Sequence, residues 1–130
     1  MHVNSIDDRI GDILEGIQKG TSGLLGFILF TMDGFPIKST LTQNRNSVIS
    51  EQELFSAIGA GLISLAERTL GQIKMLPLDR LTIESSSGNI VIEKITDDVG
   101  IMALALPSTP LGMVRIAVKN ARESLKPILG

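Results

Sequence analysis

The sequence predicts an α+β protein whose elements run αββαβββα, and three observations carry that prediction. Apolar residues recur at helical spacing in three separated segments, at the two ends and in the middle of the 130-residue chain. Asp33-Gly34 interrupts an apolar run as a hairpin turn does. Beyond Pro77 the pattern changes to period two and reverses twice, which describes a meander.

Taken in order, Ile6, Ile10, Ile13, Leu14 and Ile17 share one helical face, and Asp7 and Asp8 lie where the positive end of the helix dipole favours them. The Gly-Thr-Ser-Gly run at 20–23 ends this helix. Residues 24–32 are rich in Leu, Ile and Phe, too short for a typical helix and bounded by turn signals, so they form a strand. Asp33-Gly34 suits a two-residue type I′ turn, with φ positive at both positions, and residues 35–40 return as the second strand. Pro36 has no N–H for a ladder, which confines that strand to a sheet edge or to a register whose N–H faces away.

Residues 41–49 form a polar connection, and Ser50 with Glu53 makes a capping box that opens the longest helix, running to about Met75. Three strands follow at 79–85, 89–95 and 99–106, separated by turns at Ser86-Ser87-Gly88 and Thr96-Asp97-Asp98. Pro107 closes the last strand. Thr109 then reads as N-cap and Pro110 as the first residue of a final helix, on which Val114, Ala117, Val118, Ala121, Leu125 and Ile128 share a face.

At this length the chain is read as one domain, residues 1–130, able to bury roughly two thirds of its unfolded surface. It has no cysteine, which excludes disulfides and thiolate metal sites. A net charge of -2 and the absence of Trp and Tyr argue against nucleic acid as a partner. The start carries acids rather than a basic, apolar leader, and no apolar run reaches membrane length, so the expectation is a cytoplasmic protein without a transmembrane segment. With 43% hydrophobic and only 20% charged residues, the chain has more apolar surface than one small core needs, which points to a protein partner.

On the long helix, Leu54, Phe55, Ile58, Leu62, Ile63, Leu65, Ala66, Leu70 and Ile73 sweep about half the circumference and are assigned to the sheet. Ala57, Ala60, Gly61, Ser64 and Gly71, interrupted by Arg68, fall together on the remaining arc. Small residues at such spacing let a second helix approach closely, and glycine costs a helix up to about 1 kcal/mol against alanine, so the stripe is read as a contact with the same helix of a second copy. The last helix carries Arg115, Lys119, Arg122 and Lys126 on one side, a stripe that could meet an acidic partner or an anionic membrane but is read first as a solvated face whose stems cover the edge of the core.

Catalytic and cofactor signals fail one by one. His2 is the only histidine and adjoins the N-terminus. The Lys-Gly-Thr-Ser-Gly run at 19–23 leads into a strand rather than the helix of a P-loop, and Gly59-Ala60-Gly61 lies inside a helix. Asp7-Asp8 and Asp97-Asp98 suit a helix start and a turn, with no third metal ligand. Arg45 and Arg68 could act in trans as arginine fingers, but each reads more simply as an exposed arginine. No catalytic residue, cofactor or metal is therefore expected.

With these elements placed, "GLLGFILFTMDGFPIKST", "AIGAGLISLAERTLGQI", "LTIESSSGNIVIEKI" and "VGIMALAL" together resemble the Roadblock family over almost the whole chain, most specifically at Asp33, Gly34, Pro36 and Ile37. The lengthened polar stretch at 41–49 departs from the family pattern. The resemblance implies a profilin-like sandwich: a five-stranded antiparallel sheet, the first and last helices on one face, the long helix on the other. It also implies a homodimer in which the strand at Leu81, Thr82, Ile83 and Glu84 pairs with its copy while the long helices lie side by side through Ala57, Ala60, Gly61, Ser64, Arg68 and Gly71. Such dimers are platforms for Ras-like small GTPases, some stimulating hydrolysis without donating an arginine. The expected function is thus non-catalytic regulation of a small GTPase; a structural adaptor or light chain and a small-molecule sensor are the alternatives.

Overall fold

The computed structural model describes residues 5–41 and 51–130. Residues 1–4 and 42–50, and with them His2, Arg45, Ser50 of the capping box and all but Leu41 of the polar connection, lie outside the described residues. Eight elements follow the expected order: α1 (Ile6–Lys19), β1 (Leu24–Thr31), β2 (Pro36–Ser39), α2 (Glu51–Gln72), β3 (Leu81–Ser85), β4 (Gly88–Thr96), β5 (Val99–Ala105) and α3 (Leu111–Leu129).

The five strands form one antiparallel sheet in the order β2-β1-β5-β4-β3. β1 and β5 are central and buried on both faces, which explains why neither alternates in polarity. Phe27, Leu29, Val91, Ile101 and Ala103 point to the side covered by α1 and α3. Ile28, Phe30, Ile92 and Met102 point to the other, under α2.

As Pro36 requires, β2 is an edge strand. The turn before it differs from the two-residue type I′ form. The Gly34 N–H donates to the Thr31 carbonyl at 2.9 Å and the Thr31 N–H to the Phe35 carbonyl at 2.8 Å, so Met32, Asp33 and Gly34 make a three-residue loop. Only Gly34 takes a positive φ, 95°. This is the loop in which a glycine follows an ordinary turn, and it spares Asp33 the strained conformation.

Two helix starts also invite comparison with expectation. Ser5 caps α1, its Oγ accepting from the Asp8 N–H at 3.1 Å. Thr109 does not cap α3: Pro110 is the capping residue, and the buried Thr109 Oγ1 instead donates to the Ser22 carbonyl at 2.8 Å, tying the end of the meander to the α1–β1 turn. α2 ends at Gln72, where Lys74 at φ 57° lets the Met75 N–H reach the Leu70 carbonyl at 2.9 Å.

The main correction concerns the orientation of α2. Ser56, Gly59, Ala60 and Ile63 are buried against the sheet, and Phe55 and Leu62 pack beside them as expected, while Leu54, Ile58, Leu65 and the following Ile73 are exposed. Phe30 accounts for this rotation of the buried face. A Cβ at Gly59 would lie 2.8 Å from the Phe30 ring, and one at Gly100 on β5 would lie 2.6 Å from it. The ring fills the space between helix and sheet from the sheet side, so the helix must present its smallest residues there.

α1 is tied to the edge strand by Lys38, whose Nζ lies 3.0 Å from Asp7 Oδ2. The hydrogen bond to Asp7 raises the Lys38 pKa above the ordinary lysine value; burial opposes it, and the charges of Asp7, Asp8 and Glu15 add to it.

Gly59→Val should lower unfolding stability by about 1–3 kcal/mol through overpacking against Phe30, whereas Gly16→Ala on α1, which meets open space, should raise it by up to about 1 kcal/mol, both read from denaturant midpoints. Asp7→Asn should cost about 0.2–1 kcal/mol at neutral pH. Because the folded Lys38 pKa is raised, that contribution is complete below the ordinary lysine pKa and disappears as pH rises through the folded value; a difference from wild type that persists in strong alkali would refute the assignment.

Candidate functional site

The rotation of α2 leaves a seam of large apolar residues facing away from the sheet. Leu54, Ile58, Gly61 and Leu65 recur at i, i+4, i+7 and i+11, the spacing by which one helix meets another lengthwise, and Leu65 is 59% exposed. A Cβ at Gly61 would meet nothing within 4 Å, so the seam is open at that point. Lys94 on β4 reaches Glu67 at 3.2 Å and fixes the C-terminal half of α2 against the sheet.

Between this half of the helix and the start of β3 runs an apolar groove of about 360 Å³, lined by Leu62, Leu65, Ala66, Thr69, Leu70, Leu78 and Leu81. A second depression of about 220 Å³ continues along the same sheet face beside Leu25, Ile83, Ile90 and Leu104. Leu81 and Ile83 alternate onto this face, with Ile83 still 40% exposed. β3 is the outermost strand on its side, and among the described residues its outer backbone edge has no partner strand. A flank of α2, the floor of the sheet beside it and an unpaired strand edge therefore form one continuous surface.

The residues expected at a helix contact do not all lie there. Ala60 is only 5% exposed and packs on the sheet, so it is withdrawn from any outer contact. Ala57 lies beside the β1–β2 loop, 3.4 Å from where a Gly34 Cβ would stand, and helical spacing puts Ser64 and Arg68 on that same flank. Gly71 adjoins Leu76. Of the small stripe only Gly61 joins the apolar seam. Leu81, Thr82, Ile83 and Glu84 do come together on the free edge.

Reading the apolar arc of α2 as core hides Ile58, Leu62 and Leu65, and with them Thr69, from the candidate surface. The signal is nevertheless present, since Leu54, Ile58, Gly61 and Leu65 keep a seam of their own in the sequence. Asp33, Gly34, Pro36 and Ile37 shape the hairpin at the opposite edge and bring no reactive group to this surface. Among the described residues, no three His, Cys, Asp or Glu side chains gather as a metal site requires, and no helix is long and apolar enough to cross a membrane.

No family model matches the sequence. An uncharacterised protein of Methanocaldococcus jannaschii, MJ0714, is 28% identical over 124 residues, covering 95% of this chain and 97% of that protein. Among solved structures, a Roadblock/LC7 domain from Streptomyces avermitilis superposes with a TM-score of 0.80 at 14% identity, over 90% of this chain and 94% of that one. The gliding protein MglB from Thermus thermophilus gives 0.81 at 14% identity, over 98% and 93%. Three helices in these positions around a β2-β1-β5-β4-β3 sheet, superposing at this level on such neighbours, show that the chain has the Roadblock fold.

Proposed function

We propose that this chain is a homodimeric, cytoplasmic regulatory module that binds a Ras-like small GTPase and contributes no catalytic residue of its own. The observation that carries the reading is the β3 edge, unpaired among the described residues and continuous with the apolar surface that runs from Ile58 and Leu65 to Ile83. An exposed strand edge beside exposed Leu and Ile is a liability in an isolated protein, and a second copy removes both problems at once.

In this arrangement Leu81, Thr82, Ile83 and Glu84 pair with the same strand of the partner, extending the sheet across a two-fold axis. The partner's α2 then lies against the seam of Ile58, Gly61 and Leu65 and covers the groove beside Leu81. The contact is isologous, as most homodimer contacts are. The GTPase docks over the paired long helices and their adjoining loops. That step draws on the Roadblock resemblance and on the likeness to MglB, a gliding protein, which favours a regulatory role. Stimulation of hydrolysis, where present, orders the GTPase's own residues rather than inserting Arg68.

Light scattering of the wild-type chain at micromolar concentration should give twice the monomer mass. Leu65→Asp should weaken association at least about tenfold, about 1.4 kcal/mol, while leaving the far-ultraviolet circular dichroism unchanged; a folded monomer in the wild type would remove the dimer. Immobilised protein should retain small GTPases of the host loaded with GDP or with a GTP analogue. Retention of none in either state would move the reading to a structural adaptor.

A further inference from the structure

On the sheet face opposite α2, one buried carboxylate holds two guanidinium groups. Glu93 on β4 is 2% exposed; Arg122 of α3 donates to its Oε1, and Arg80, just before β3, places Nε 3.6 Å from its Oε2. The side chains of Arg122 and Arg80 remain 33% and 43% exposed. A carboxylate accepts only part of what two guanidiniums donate, so this part-exposed cluster keeps a positive surplus. The ion pairs also hold the two arginines in place before any partner arrives.

Arg122 belongs to the row Arg115, Lys119, Arg122 and Lys126, and its reach to β4 fixes which side of α3 that row occupies: the side toward β3. Arg115, Lys119 and Lys126 have no ion-pair partner among the described residues. The row spans about 16 Å at 1.5 Å per residue, the reach of about five extended residues. Below it, on the same sheet face, lie Thr82 and the exposed Glu84 of β3. The result is a ledge with a basic wall and preset arginines at its inner edge.

We infer that this ledge is a docking site for an acidic protein segment, whose carboxylates would pair with Arg80, Arg122, Arg115 and Lys119. The inference extends the proposed dimer: if β3 strands pair across a two-fold axis, the two ledges meet as one trough on the side away from the long helices. A protein segment fits better than other polyanions. The chain has no Trp or Tyr to stack on bases, and Glu84 in the floor leaves the carboxylates of the segment to the basic wall above it. An anionic membrane would meet the crest of α3, where the exposed Asn120 and Glu123 sit beside Ile116.

Fluorescence anisotropy of labelled deca-glutamate titrated with the full chain tests the site. Saturable, salt-sensitive binding is expected, weakened at least about tenfold by Arg115→Glu/Lys119→Glu with dimer mass and melting temperature unchanged. Equal affinity of that variant would overturn the inference, as would retention by phosphatidylglycerol vesicles or oligo-deoxythymidylate without binding of the peptide. Light scattering on the same samples separates the two readings. An intact dimer that ignores the peptide overturns the docking site alone, whereas a monomer whose peptide binding still needs Arg115 and Lys119 overturns the dimer and supports the site.

Discussion

The Phe30 ring, seated between Gly59 of α2 and Gly100 of β5, is the contact on which the arrangement of the molecule depends. A large ring on the sheet and two residues without side chains around it set how closely and at what rotation α2 lies. With Ser56, Gly59, Ala60 and Ile63 turned inward, Leu54, Ile58 and Leu65 have nowhere to go but outward. The exposed seam is therefore not an accident of composition. It is the other half of a packing solution in which bulk is supplied from the sheet, and a two-glycine seat leaves no room to reverse it.

The two edges of the sheet are treated differently. β2 is only four residues long, begins at Pro36, and is tied by Lys38 to Asp7 of α1. Short length, a proline and a charge are the devices by which an edge is kept from pairing. β3, one residue longer, has no proline among Leu81, Thr82, Ile83, Glu84 and Ser85 and only the single charge of Glu84. With one edge closed and the other open, an added strand has one place to go, and that place adjoins the apolar flank of α2.

Much of this is legible in the sequence, and the failures have identifiable physical causes. The element order, the meander and the edge position of β2 follow from local signals: helical spacing, period-two alternation and a proline without an N–H. The rotation of α2 does not, because the residue that sets it, Phe30, lies on another element and acts only once the sheet exists. Smallness suggests an outer contact for Ala60, yet the same smallness is what places it inside. Thr109 has the sequence position of a cap, but the Ser22 carbonyl, far away in the chain, captures its hydroxyl. Asp33-Gly34 announces a turn, yet the count of loop residues depends on how Thr31 and Phe35 close it.

Glu93, on the sheet face away from α2, ties α3 to the start of β3. A carboxylate this deeply buried is tolerated only with compensating charge, and here the compensation comes from two separate elements: Arg122 from α3 and Arg80 at the entrance to β3. The position of α3 is thereby coupled to the start of the strand whose free edge carries the proposed dimer. A change in how α3 sits would reach that edge through two ion pairs sharing one acceptor, without passing through the apolar core. Replacing Glu93 with a hydrophobic residue would remove the shared acceptor of both guanidiniums beside the same edge. The basic wall and the open edge are in this sense one construction, held by a single buried charge.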